Sequence, residues 1–246
     1  MFRVDHPVMK KYITCTLLSL TMLHLSNAQD SVSIAFDKII KPYENFEGYF
    51  EGQNLLFENN WVKARLLTAN NSIISNDSFR FNFNKIDRAL ITTADYKKVF
   101  EIDWREFKAV LFYLKDSAYI FRHIELVNNK DLFQVLVNGN DKYSLYKTIH
   151  TKLVKGHYGG LSPAPYDKFS DHFVNATEYC ILFPNREYRI FYVLKRAAIE
   201  RVFKLNRDSE KVKYFFERTG NRDLYEENDL LELIAYLNSD NSNREQ

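Results

Sequence analysis

The chain is poor in the residues that punctuate or staple a fold. Its 246 residues include 7 glycines, 5 prolines and 2 cysteines. Two cysteines exclude a disulfide framework. There is no Walker phosphate loop and no dinucleotide glycine fingerprint, and His-Glu-x-x-His, paired Cys-x-x-Cys and the Gly-x-Ser-x-Gly elbow are absent too. The sequence therefore predicts no cofactor and no metal motif. Neither sign of charge is in excess, with 34 basic against 32 acidic side chains. A nucleic-acid partner would need a surplus of cations to neutralise phosphates, and is excluded. What the chain has is apolar bulk: 46% hydrophobic residues and 15% aromatic. That excludes a disordered chain and is enough for one sizeable core in one domain.

One long apolar run exists, and it lies near the start. Lys10 and Lys11 precede Ile13 to Leu25, and Ser26-Asn27-Ala28 ends the run with small residues at the positions signal peptidase requires. The run is shorter than the ~20 residues of a membrane span. Residues 1–28 read as a secretory signal peptide cut before Gln29. Arg3, Asp5, His6 and Pro7 fit no signal, so Met9 reads as the true start. Cleavage removes Arg3, Lys10, Lys11 and Asp5, which leaves the two signs of charge equal. It also removes Cys15 and leaves Cys180 in a strand pattern, where a lone cysteine reads as a small buried hydrophobe. The mature chain has no transmembrane segment by this reading, and its location is periplasmic, cell-surface or secreted.

Residues 29–59 are aromatic and acidic, broken by Pro42, Gly48 and Gly52, and read as an irregular arm with one short strand. From Trp61 the hydrophobic period is two. Ser78–Asn84 alternates aromatic and polar residues, and Val99–Trp104, Phe107–Leu114, Tyr119–Val127, Leu132–Val137, Tyr143–Val154, Thr177–Phe183 and Glu187–Leu194 follow the same rule. The turns between them, at Asn70-Asn71, Lys115-Asp116, Asn128-Asn129, Asn138–Asp141 and Pro184-Asn185, are short and polar. Asn and Asp tolerate positive φ and can replace glycine there. Strands joined this closely are antiparallel neighbours, so residues 60–195 predict a meander of about nine or ten strands. A sheet of that length curls or splits. Beyond Leu194 the period becomes helical: Ile199, Val202 and Phe203, then Val212, Phe215 and Phe216, then Leu230, Leu233, Ile234 and Leu237. Asp208 is placed to cap the second helix, Gly220 to stop it, and Glu226 and Glu227 to open the third. Residues 196–240 thus predict short helices packed on the sheet, and 241–246 a frayed tail. The fold class is α+β: an antiparallel meander, curved or barrel-like, followed by a C-terminal helical segment.

The signal ending Asn27-Ala28-Gln29, the strand Leu132–Gly139 and the ending Asp229–Ser239 make the whole chain resemble uncharacterised secreted proteins common in Bacteroidota. The resemblance implies a Gram-negative exported protein and carries over no catalytic residue. It also implies O-glycosylation at Asp-Ser-apolar sites, which Asp30-Ser31-Val32 and Asp116-Ser117-Ala118 match.

The most enzyme-like stretch is Lys155–Phe173, which holds three of the glycines and two of the prolines. Long loops in compact domains are often functional. His157, Asp171 and His172, with His150 on the preceding strand, are the candidate acid–base or metal-ligating set. The same residues also read as a solvated insertion. Tyr158 and Tyr166 are candidate binding residues, and Tyr43, Tyr49 and Tyr96 also lie in arm or loop segments where a ring can stack on a sugar or anchor an interface. His123 reads as a satisfied strand histidine. Glu101, Asp103 and Glu125 are a candidate carboxylate set or, more simply, a solvated sheet face. The sequence points to a non-enzymatic binding or structural module of the cell envelope, with an envelope protein or glycan as partner. Two alternatives stay open: a hydrolase of envelope or extracellular polymers using the 155–173 loop, and a soluble β-barrel carrying a lipid or other apolar ligand. Intact-mass measurement on protein from its native host is expected to give a chain beginning at Gln29. A chain that retains residues upstream would overturn the export reading.

Overall fold

A computed structural model describes residues 39–43, 54–124, 127–154, 172–204, 206–220, 223–224 and 226–239. The predicted signal, most of the arm, the centre of the 155–173 loop and the tail lie outside the described residues. The strands are β1 (Ile40–Pro42), β2 (Lys63–Thr68), β3 (Ile73–Ser75), β4 (Arg80–Asn84), β5 (Ala89–Thr93), β6 (Val99–Ile102), β7 (Phe107–Leu114), β8 (Ser117–Ile124), β9 (Asn128–Val137), β10 (Ser144–Val154), β11 (His172–Leu182) and β12 (Tyr188–Phe191). Three helices follow: α1 (Arg196–Phe203), α2 (Ser209–Arg218) and α3 (Glu227–Asn238). The fold is α+β, with antiparallel pairing throughout.

The strands form two open sheets rather than one meander or a barrel. The small sheet has the order β1-β6-β5-β4, and the large one β12-β11-β10-β9-β8-β7-β2-β3. From β7 to β12 the order is the sequential meander that short turns dictate. The sheet splits earlier, where β4–β6 peel away and pair with the arm strand β1. Val62 bridges Phe81 in β4 and the next residue begins β2, so the chain steps directly from one sheet's edge into the other. Several predicted boundaries move, among them that of β11, which starts at His172 and not Thr177. Trp104 leaves β6 for a 3-10 turn capped by Asp103. Asn128 and Asn129 lie inside β9, the turn being closed one step earlier by Val127 N donating to Ile124 O at 2.9 Å. Positive φ falls on Asn71 and Asn140 as expected, but also on Glu58, Arg88, Tyr96, Lys115 and Arg186. Left-handed backbone is costlier for those residues than for Asn or Gly, and their turns hold them there.

Register fixes which face is buried. Val110 pairs with Phe121, Phe121 with Gln134, and Gln134 with Lys147, which lies beside Leu145 and opposite Tyr179. Alternation therefore puts Val110, Phe112, Phe121, Leu145, Tyr179 and Ile181 on one face. The small sheet covers one half of that face, where Phe81, Phe83, Leu90 and Ile102 pack with Leu66, Val110, Phe112 and Phe121. The helices cover the other half, where Ile199, Phe203, Phe216, Leu233 and Ile234 pack with Leu145, Tyr179, Ile181 and Phe183. The seam between the two cores is polar. Lys147 pairs with Glu227 at 2.6 Å, and Tyr179 donates to the same carboxylate at 3.2 Å.

In β4 the predicted alternation holds, but both faces are buried. Phe81 and Phe83 enter the core, while Asn82 donates to the carbonyls of Glu58 and Asn60 and Asn84 donates to Tyr43. The arm segments thus cover what the sequence presents as a wet face. The helical layer is pinned by side chains of opposite roles. Asp208 stands at the N-cap of α2, as expected, yet its carboxylate makes no cap bond. It accepts from the Tyr143 hydroxyl at 2.5 Å and pairs with Lys211 at 3.1 Å. Burial pushes its carboxyl up, but these hydrogen bonds outweigh burial and hold it below its ordinary range. Gly220 ends α2 with φ +83, and Glu226 and Asp229 form a capping box for α3. Asn238 anchors the end of α3: its amide bonds the Tyr143 backbone on both sides, at 2.9 and 2.8 Å.

Phe203 is fully buried and its ring meets those of Tyr143 and Phe183. Phe203→Ala is expected to cost ~3–5 kcal/mol in urea unfolding, the range for truncating a buried aromatic. A loss below ~1 kcal/mol would mean that the helices do not share the sheet's core.

Candidate functional site

The predicted loop site is only partly within view. His157, Tyr158, Tyr166 and Asp171 lie outside the described residues. Tyr49 and Glu125 lie outside them as well. His172 opens β11, where its backbone pairs with Val154, four residues along the hairpin from His150 and its partner Ala176. The structure therefore brings His150 to Glu178 instead. His150 Nε2 stands 3.2 Å from Glu178 Oε1 without the alignment of a hydrogen bond, and Lys152 approaches the same oxygen at 4.0 Å. This cluster sits where two strands part. β9 pairs with β10 only from Val137↔Leu145 to Gln134↔Lys147, then follows β8 while β10 runs on with β11. The β4–β5 turn enters the fork. Thr151 N donates to Lys85 O at 3.3 Å, Lys85 Nζ donates to Asn175 at 3.0 Å, and Arg88 pairs with Asp131 at 3.0 Å. Burial lowers the Lys85 ammonium's pKa.

His150 is 6% exposed. Burial holds its pKa below the ordinary 6.5, against the pull of Glu178. His123 is held low by burial too. Its Nδ1 lies 3.2 Å from the Asp131 carbonyl, its Nε2 has no hydrogen-bond partner, and its ring meets Trp104 edge-on and Phe107 at a tilt. The expected satisfied strand histidine is therefore satisfied at one nitrogen. A buried His–Glu pair has the parts of an acid–base couple, but general catalysis needs the proton it moves within hydrogen-bond reach. His150 offers almost no surface to a substrate.

The other candidates resolve into structural roles. Asp103 caps its 3-10 turn and is gripped by Arg105, whose hydrogen bonds hold the carboxyl down at about 2. Glu101 pairs with Lys41 across β1 and β6 at 3.4 Å, so these two carboxylates do not face one another as a catalytic couple. Tyr43, expected on the surface, is buried and donates to Asp87, because the arm that carries it packs under the small sheet. Tyr96 is 60% exposed, edge-on to Trp61. Cys180 is fully buried and burial raises its thiol to about 12, which leaves no thiolate at neutral pH. Among the described residues no three His, Cys, Asp or Glu side chains are placed to hold a metal ion.

What sequence reasoning missed lies on the other face of the large sheet. Both covering layers sit on one side, so the second face has no described layer over it. That face should be polar, yet it carries Leu67, Ala109, Ile120, Ile124, Val135, Tyr146 and Leu182. These residues line a trough of about 780 Å³ crossing from β2 to β11. Ile124, Phe133, Tyr146 and Cys180 form a small buried cluster beneath it. Its cations are Arg105, Lys108 and Arg122, and no Asp or Glu lines it among the described residues. Part of the signal was present in the sequence: β7–β9 carry apolar residues at both parities, the pattern of strands buried on two faces. A second pocket of about 530 Å³, between the β11–β12 turn and α1, mixes Arg189 and Arg207 with Glu187 and has no single complement.

Depressed histidines make folding sensitive to acid. A folded state that binds fewer protons than the unfolded one is favoured above the unfolded pKa, so this contribution is complete above 6.5 and is lost as pH falls through that value toward the lower folded pKa. Urea unfolding across that window is expected to show stability falling with acid, and His150→Gln is expected to flatten the slope. An unchanged slope in the variant would mean that His150 is not held neutral. No protein-family model matches the chain, and it matches no curated protein and no solved structure.

Proposed function

We propose that the protein is an exported, non-enzymatic binding module of the cell envelope, and that the face of the large sheet opposite its two described layers is its binding surface. One observation carries the reading: an apolar trough crosses a sheet face over which no described element packs. Sites for small molecules are concave, mostly apolar and of about 300–1,000 Å³, and the trough has that character. Export rests on the signal-like segment before Gln29 and on the resemblance to secreted Bacteroidota proteins. The absence of nucleotide, metal and nucleophile motifs supports binding over catalysis, as does the closed setting of His150. No described helix is long and apolar enough to cross a membrane.

The test is a polarity-sensitive dye titrated onto the purified protein. Ile120→Glu and Val135→Glu each place a charge in the trough. Both positions are only half-buried, so the fold is expected to persist, with unchanged far-ultraviolet circular dichroism. Dye affinity is expected to fall at least tenfold in each. Dye binding by the wild type that both variants retain, or none by the wild type, would overturn the assignment of this face.

A further inference from the structure

The charge of the trough says what end its ligand carries. Its three cations differ in their partners. Arg105 is chelated by Asp103, with Nη2 to Oδ2 at 2.5 Å, and Lys108 donates to Asn71 at 3.1 Å. Arg122 is different. It projects from the middle of β8, is exposed, and stands with its guanidinium carbon 5.6 Å from the centre of the Tyr146 ring. Among the described residues no carboxylate lies within ion-pair reach of it. On either side of it the floor is apolar: Leu67 and Ala109 toward β2, Ile124, Val135 and Leu182 toward β11.

We infer that the trough binds a single-chain carboxylate amphiphile of the fatty-acid class, with the carboxylate on Arg122 and the alkyl chain along the sheet. This rests on the reading of the open face as a binding surface. Three features select the occupant. A planar guanidinium fixed over an aromatic ring presents a donor fork that matches a carboxylate in two parallel hydrogen bonds. Among the described residues the trough has no acidic side chain to repel an anion, and Arg122 is its one guanidinium without a carboxylate partner. Its length suits an extended chain: six strands at about 4.8 Å spacing give a floor roughly 24 Å wide, and each buried methylene contributes about 0.8 kcal/mol. A two-chain lipid overfills about 780 Å³.

The experiment titrates the full protein with palmitate, hexadecanol and hexadecyltrimethylammonium, each below its micelle concentration, by displacement of the same dye. Palmitate is expected to bind more tightly than hexadecanol by roughly tenfold or more, the value of one charge-assisted bidentate contact, and the ammonium to bind weakest. Added salt is expected to narrow the gap, because the pair is partly exposed. Arg122→Gln is expected to bring palmitate to the affinity of hexadecanol while leaving hexadecanol unchanged. Dye displacement with equal affinity for palmitate and hexadecanol, or a preference for palmitate that survives in Arg122→Gln, would overturn the carboxylate assignment and leave the binding face standing. Failure of all three chains to displace a bound dye would overturn the ligand class. A wild type that binds no dye at all would remove the face itself.

Discussion

An antiparallel sheet presents alternate residues to its two faces, and a slip of one residue would exchange them. In this protein the register through Val110, Phe121, Gln134 and Lys147 puts Val110, Phe112, Phe121, Leu145, Tyr179 and Ile181 on the same side. That side takes both covering layers, the small sheet on one half and the helices on the other. The rest of the structure follows from this one-sided burial. The polar seam of Lys147, Glu227 and Tyr179 lies where the two layers leave room for charge. The opposite face keeps the apolar trough because neither layer reaches it.

The fork between β9 and β10 is the second consequence. The β10–β11 hairpin runs on from Lys147 to Val154 after β9 has turned to follow β8. Thr151 N would face nothing on that edge, and a buried unpaired N–H is costly. The β4–β5 turn supplies the Lys85 carbonyl, and with it come Arg88 to pair with Asp131 and the packing that closes over His150. A histidine that looks like a catalytic candidate in the sequence is in this way part of the joint between the two sheets. Burial there favours its neutral form.

The helical layer is held by specific polar contacts as well as by its apolar core. Tyr143 closes β10 against all three helices at once: its hydroxyl reaches Asn206 and Asp208, its ring meets Phe203, and its backbone is clamped by Asn238. Burial and the neighbouring Asp208 raise its phenol pKa above the ordinary value. The same direction holds for Tyr43 beside Asp87 and for Tyr179, pushed up to about 12 by burial and by Glu227. These contributions to stability are complete below the unfolded tyrosine pKa and are lost as pH rises through the folded values. Alkali therefore loosens the junctions between the layers.

The amino-acid sequence by itself determined the local structure. Period-two patterning specified β7 to its end residues, the helical spacing specified three helices and their buried stripes, and short polar turns specified antiparallel neighbours, because these depend on contacts within a few residues. It also determined that Cys180 would be buried and that Tyr96 would be exposed. Pairing across the chain set the split of the meander at β4, the burial of Tyr43 against Asn84, the bond of Asp208 to Tyr143, and the meeting of His150 with Glu178 and not His172. Each of those depends on which surface covers which, and pairings between segments tens of residues apart leave no trace in local periodicity. The open face lies between the two cases. The sequence made both sides of β7–β9 apolar, and the fold, by placing both described layers on one side, left the other with a trough and Arg122 at its middle.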